Sequence, residues 1–254
     1  MSNIKLISVT WSDSNSFDFK NSMLYKSFIK HNSDDNFYSI HFNRENYRDL
    51  ENEFNSRFGN QYEFLLYRIF LLKKRLEKLN FDYVIFSDTD DVVCLGDIQT
   101  ITKNLTSITY SSESHRYPNE ENVTNWSPNY IYPEINNIKR HFLNGGLSFG
   151  SKDNFIKLYD LCINEIFPKE YKNFGGDQGV FTYFYLNLNQ ENLVKLDENF
   201  DVFLSTYLKS YDGFGVNDNK FISYHTKTKP LFVHDNGWNY GSPKFINHFN
   251  LTSL

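Results

Sequence analysis

Three carboxylates fall within four residues, at Asp88, Asp90 and Asp91, directly after the apolar run Tyr83, Val84, Ile85 and Phe86. Like charges at that spacing repel one another, and a cation among them removes the penalty. Hard divalent ions take oxygen ligands, and Mg2+ or Mn2+ commonly bridges such acids to the phosphates of a substrate. An ordinary acidic turn has the same spelling, since Asp-X-Asp is short and common. Position favours a site, because ligands of open α/β sheets gather at the carboxyl ends of strands.

A rival chemistry shares the pattern. An apolar strand ending in Asp-X-Asp-X-Val also resembles the nucleophile motif of haloacid-dehalogenase-type phosphatases. In that Mg2+-dependent reading Asp88 attacks phosphorus and Asp90 serves as acid and base. That family also uses a later acidic pair on a Gly-Asp-Gly-like turn, and the sequence shows no convincing one.

Three further segments carry polar groups in telling places. Asn144, Gly145 and Gly146 stand just before the apolar Leu147, Ser148 and Phe149, where glycines admit a close backbone and Asn can donate to sugar hydroxyls. Gly175, Gly176, Asp177 and Gln178 open a helix, so Asp177 is either a cap or a site acid. His234 ends the apolar run of residues 230–233, and with a distant acid cluster it is a candidate third metal ligand.

The elements that position these groups follow from periodicity. Residues 4–9 and 37–42 read as strands, with a helix over about 17–30 between them. Leu65, Ile69, Leu72, Leu76 and Leu79 give a long helix one apolar face, while Lys73, Lys74, Arg75 and Lys78 give it a solvated one. Residues 83–86 form a buried strand and 107–110 a fourth. A polar loop over about 112–140 is long enough to be functional. Then come a strand at 147–149, helices over about 152–167 and 177–186, and strands at 193–196 and 231–233. Alternation of strand and helix predicts an α/β, mostly parallel, Rossmann-like sheet flanked by helices, in a single domain spanning 1–254.

Composition narrows the ligands. The net charge of −5 and the absence of a long Lys/Arg run argue against nucleic acid. An anionic diphosphate would therefore be held by a metal or a few placed cations. Cys94 and Cys162 lie in apolar stretches and read as core residues. Sequons such as those at Asn104, Asn122 and Asn250 are expected by chance in so Asn-rich a chain. No signal or membrane-spanning run is visible, so a cytoplasmic protein without membrane insertion is expected.

Taken in order, these segments resemble the glycosyltransferase domain of procollagen lysyl hydroxylases. The likeness begins at residues 6–10, passes through 85–92, and is closest over 132–134 and 139–146. It continues through Asp177 and Gln178, then Leu196 and Asp197, and ends at residues 234–237. It implies the GT-A fold and transfer of glucose, galactose or N-acetylglucosamine from a UDP-sugar to a hydroxyl of a protein or glycan, hydroxylysine of a collagen-like protein among them. By resemblance Asp88, Asp91 and His234 bind Mn2+ or Mg2+, Thr10 and Trp11 lie by the uridine, and Arg68 touches phosphate. Asp90 becomes a ribose contact or a bystander, and Asn236 and Gly237 belong to the donor side. Tyr117 lines the sugar side, while Asn144 and Asp177 orient sugar and acceptor. If the transfer inverts configuration, Asp177 is the candidate general base; if it retains, the leaving phosphate can take the proton. The pattern breaks at two places, since Gly176 stands where the family has an acid and Asp235 where it has a glycine. The likeness covers the transferase domain only and implies no hydroxylation.

Overall fold

A computed structural model describes residues 4–11, 17–42, 44–58, 64–102, 106–116, 141–167, 176–206, 211–236 and 244–254. Strand β1 (Ile4–Trp11) leads through a 3-10 turn to helix α1 (Met23–Phe28) and strand β2 (Phe37–Phe42). Helices α2 (Arg44–Phe58) and α3 (Phe64–Leu76) precede β3 (Tyr83–Ser87), β4 (Val92–Cys94) and β5 (Ile108–Arg116). Strand β6 (His141–Ser151) runs into α4 (Lys152–Leu161) and one wider helical turn. Helix α5 (Asp177–Tyr183) follows, then β7 (Val194–Asp197) and β8 (Phe203–Ser205). A hairpin of β9 (Phe214–Asn217) and β10 (Lys220–Ser223), strand β11 (Phe232–His234) and helix α6 (Lys244–His248) complete the order.

The main sheet has the order β2-β1-β3-β6-β5-β7. Every neighbouring pair is parallel except those made by β6, which runs against both β3 and β5. The expected mostly parallel sheet is therefore present, with one reversed strand at its centre. Strand β3 is buried along its whole length because it is covered on both faces. Val84 and Phe86 face a core shared with α3 and α4, and Tyr83 and Ile85 face one shared with α1. That double burial is why residues 83–86 are continuously apolar rather than alternating. Chain order reverses at β1, whose neighbours are β2 and β3, and that switch point places a crevice beyond the carboxyl ends of β1 and β3.

A second sheet, β4-β11-β8, contains the strand expected at 231–233 as β11; its partners β4 and β8, three residues each, are too short for periodicity to show. Helix α2 was also missed, because few apolar residues interrupt its polar run. Two other expectations shift. The helix expected over 17–30 starts only at Met23, where Ser22 caps it by accepting from Tyr25 N at 3.2 Å. Asn144, Gly145 and Gly146 lie inside β6 rather than before it. Pairing jumps from Tyr110↔Ser148 to Ser111↔Asn144, so Gly145, Gly146 and Leu147 have no counterpart on β5. The glycines read as a turn in sequence because they form this bulge.

Strand β5 runs on through residues 112–116, where the sequence predicts the start of the long loop. Residues 117–140, with Tyr117 and the sequon at Asn122, lie outside the described residues, as do Gly237 and Asn104. The basic run on α3 is only partly solvated: Lys73 bridges Glu77 at 2.6 Å and Asp160 of α4 at 3.3 Å, and Lys74 pairs with Glu53. Arg75 and Lys78 are exposed as expected. Cys94 and Cys162 are buried free thiols, and burial pushes the Cys94 thiol up to about 12. Among the described residues no helix is long and apolar enough to cross a membrane.

Candidate active site

The turn from β3 to β4 carries Asp88, Asp90 and Asp91 into the crevice. A hydroxyl cluster fixes the turn: Thr89 is buried, its Oγ1 lying 2.6 Å from both Ser8 Oγ and Thr10 Oγ1 while donating to Val9 O at 3.2 Å. The end of β1 and the acidic turn are thus tied together, and the Thr10 hydroxyl has a partner within the protein. Trp11 is the last residue of β1.

Histidine 234 reaches this turn by strand pairing. Strand β11 runs antiparallel to β4 with His234 opposite Val92, so its neighbour in space is the residue after Asp91. The pairing extends one step further, since Asp235 N donates to Asp91 O at 2.8 Å. His234 Nε2 then lies 3.3 Å from Asp91 Oδ2 and 3.8 Å from Asp88 Oδ2. One ligand atom from each of Asp88, Asp91 and His234 falls within 4.8 Å of the others.

The electrostatics are those of charges held together without enough water. Burial raises Asp88 above the usual carboxylate range, with Asp91 and Asp177 adding to the rise and Arg68 and His234 opposing it. Burial also acts to raise Asp91, but His234 outweighs it and the carboxyl ends below its ordinary value. For His234 burial alone would lower the value; Asp91, Asp88 and Glu113 overcome it and lift the imidazole to about 9. Asp90 is exposed and stands outside the group of ligand atoms.

These residues fit a divalent metal on the structure's own terms. His234 Nε2 is buried and has no hydrogen-bond partner, although two carboxylates face it. A Cβ on Gly146 would meet His234 Cε1 at 2.3 Å and Asp88 Oδ2 at 2.5 Å, so only glycine lets β6 pass this close to the ligand atoms. Two oxygen donors and one imidazole nitrogen suit Mn2+ or a similar ion.

On the far side, Arg68 of α3 lies between two acids. Its Nε is 3.0 Å from Asp177 Oδ2, an ion pair not aligned for a hydrogen bond, and its Nη1 is 3.5 Å from Asp88 Oδ1. Asp177 is the first residue of α5 and accepts from Gln178 N at 3.0 Å. Gly176 before it adopts φ 81°, a conformation side-chain-bearing residues avoid. The missing family acid at that position thus has a backbone reason. The other departure also has one: Asp235 caps α6, accepting from Phe245 N at 2.7 Å and Ile246 N at 3.2 Å.

Sequence reasoning missed Glu113, a buried acid on β5. Its Oε1 accepts from Asn144 Nδ2 at 3.0 Å and from Asn236 Nδ2 at 3.2 Å. Asn236 in turn accepts from Ser205 Oγ at 2.8 Å. The available signal was a strand running from apolar residues into Ser111, Ser112 and Glu113, the same grammar that marks residues 83–91. The site therefore draws together Asp88, Asp91, His234, Arg68, Asp177, Asn144, Asn236 and Thr10, and leaves Asp90 at its exposed edge.

An α/β sheet with acids beyond the carboxyl end of a central strand is the architecture of enzymes that bind phosphorylated donors, and the match to known families makes that class definite: the protein is a glycosyltransferase. The family model of the PLOD GT domain matches residues 53–249, most of the chain, and the chain belongs to that family. No curated protein matches it. Among solved structures it is similar to a glycosyltransferase involved in the glycosylation of the major capsid of PBCV-1. Identity is 12%, 98% of this chain and 99% of that one are covered, and the TM-score is 0.47. It is also similar to the apo structure of the WbbM bifunctional glycosyltransferase at 12% identity, 100% and 52% coverage and a TM-score of 0.48. The phosphatase reading of Asp88 and Asp90 falls with the family match, and Asp90 is exposed where that chemistry would use it as acid and base.

Proposed function

We propose that the chain, as a single GT-A catalytic domain, transfers glucose, galactose or N-acetylglucosamine from a UDP-sugar to a hydroxyl acceptor. Asp88, Asp91 and His234 hold Mn2+ or Mg2+. The observation that carries this reading is the buried His234 Nε2, which makes no hydrogen bond yet faces two carboxylates beside a backbone that only glycine permits. When bound, the metal stabilises the negative charge that develops on the departing diphosphate.

The chain's own residues do the rest. Arg68 supplies a fixed cation next to Asp88 and, by family likeness, a contact to phosphate. Its pairing with Asp177 holds that carboxylate at the start of α5. In an inverting transfer Asp177 would take the acceptor proton; in a retaining one it would orient the acceptor while the leaving phosphate takes the proton. Thr10 and Trp11 at the end of β1 would border the uridine, and Asn236, Gly237 and Tyr117 the donor sugar, with Asn144 supporting the site from the interior through His234. Asp90, exposed at the rim, would touch ribose. The acceptor would be a protein hydroxyl, such as hydroxylysine in a collagen-like chain, or a glycan hydroxyl.

Release of UDP from a panel of UDP-sugars, with Mn2+ and with EDTA, tests the reading without an acceptor. Metal-dependent release from one sugar identifies the donor. No release from any sugar, together with no binding of UDP in the presence of Mn2+, contradicts it.

A further inference from the structure

We infer that Glu113 is a positioning residue for the metal site: through Asn144 it fixes which nitrogen of His234 is free to bind the ion. The inference rests on the reading of Asp88, Asp91 and His234 as metal ligands.

One backbone group fixes the orientation of Asn144. Gly146 N–H can only donate, and it lies 3.0 Å from Asn144 Oδ1, so that end of the side chain is the oxygen. The same oxygen lies 3.0 Å from His234 Nδ1, which therefore carries the hydrogen and donates. Nε2 is left as the nitrogen that points at Asp88 and Asp91. At the other end, Asn144 Nδ2 donates to Glu113 Oε1 at 3.0 Å.

Turning the Asn144 amide over would set its NH2 against the Gly146 N–H and the Nδ1 hydrogen, and its oxygen against the Glu113 carboxylate. All three contacts would become repulsive, so the orientation is locked from both ends. Glu113 supplies one of those locks, and its contact to Asn236 ties the same oxygen to the loop after β11. All of this lies in the interior: Asn144 is 3% exposed, His234 2% and Glu113 7%. Without Glu113, Asn144 keeps only the lock from Gly146 N–H, and its buried NH2 loses its acceptor. The imidazole then samples ring positions and tautomers that do not serve the metal. Asn144 is the outer partner of His234 and Glu113 acts through it; losing such an outer partner typically weakens metal binding by about 10- to 100-fold.

The test is titration of Mn2+ alone into wild type and variants at position 113, followed calorimetrically, with thermal melting of each metal-free protein alongside. Glu113→Gln keeps an accepting oxygen and is expected to bind Mn2+ within about threefold of wild type. Glu113→Ala is expected to bind about 10- to 100-fold more weakly, while melting close to wild type in EDTA. If the alanine variant does not fold, Glu113→Asp decides, because it keeps the charge but withdraws the oxygen by one methylene; weakened Mn2+ binding is expected there too. Wild-type affinity in a folded Glu113→Ala or Glu113→Asp protein overturns the inference and leaves the metal site standing. No Mn2+ binding by the wild type overturns both.

Discussion

Asp197 and Asp235 stand at the ends of β7 and β11 much as Asp88 stands at the end of β3, yet the two pairs of strand-end acids are satisfied in opposite ways. Asp197 accepts from three backbone N–H groups, those of Asp201 at 3.0 Å, Val202 at 2.7 Å and Phe203 at 2.8 Å. Asp235 accepts from Phe245 N, Ile246 N and the Thr206 hydroxyl. Asp88 and Asp91 instead face each other, an arginine and a histidine. A carboxylate saturated by backbone donors has little left to offer a ligand and serves to close a loop or cap a helix. One that faces other charges keeps oxygens that can ligand an ion, as the clustered ligand atoms of Asp88, Asp91 and His234 could. The contrast separates structural acids from chemical ones without reference to position in the sequence.

The sharpest way to break the contrast is Asp91→Ala. If the ion supplies several kcal/mol of transition-state stabilisation, metal-dependent transfer should fall by about 1,000-fold or more. Circular dichroism and melting should stay near wild type; a folded variant with unchanged turnover would remove Asp91 from the chemistry. Next in size, Gly146→Ala pushes a methyl into His234 and Asp88. Crowding of this kind typically costs about 1–3 kcal/mol, and here Mn2+ affinity should fall by about tenfold or more, as titration would show.

Asp197→Ala should do the reverse. Stranding its backbone donors costs about 1–3 kcal/mol, which lowers the melting temperature by several degrees while Mn2+ affinity stays within about threefold of wild type. The smallest effect expected is for Gly176→Asp, which restores the family's acid at φ 81°. Backbone strain there should cost about 1–2 kcal/mol in a melting experiment, and a gain in stability would show that the turn relaxes.

The same contrast explains what could be read in advance. Asp88 and Asp91 were legible because their strand, turn and charges are contiguous, and the buried strand before them is continuously apolar. His234 was legible as a candidate, but its arrival at the cluster depends on the β4–β11 register, which two three-residue strands do not advertise. Asn144 was noticed for its glycines, and its place within β6 was hidden by the bulge those glycines form. Glu113 was passed over as one acid in a serine-rich run, because only the pairing of β5 with β6 brings it beneath Asn144. Asp235 departs from the family pattern, and only the position of α6, whose backbone donors it caps, shows why. Sequence shows which groups are chemically able; pairing register decides which of them meet.

The most direct test of the central claim is one Mn2+ titration series on wild type, Asp91→Ala and Asp197→Ala, each confirmed as folded. A single saturable site in wild type and Asp197→Ala, and none in Asp91→Ala, is the predicted result. Wild-type binding by Asp91→Ala, or its loss in a folded Asp197→Ala protein, would contradict the assignment of the metal to Asp88, Asp91 and His234.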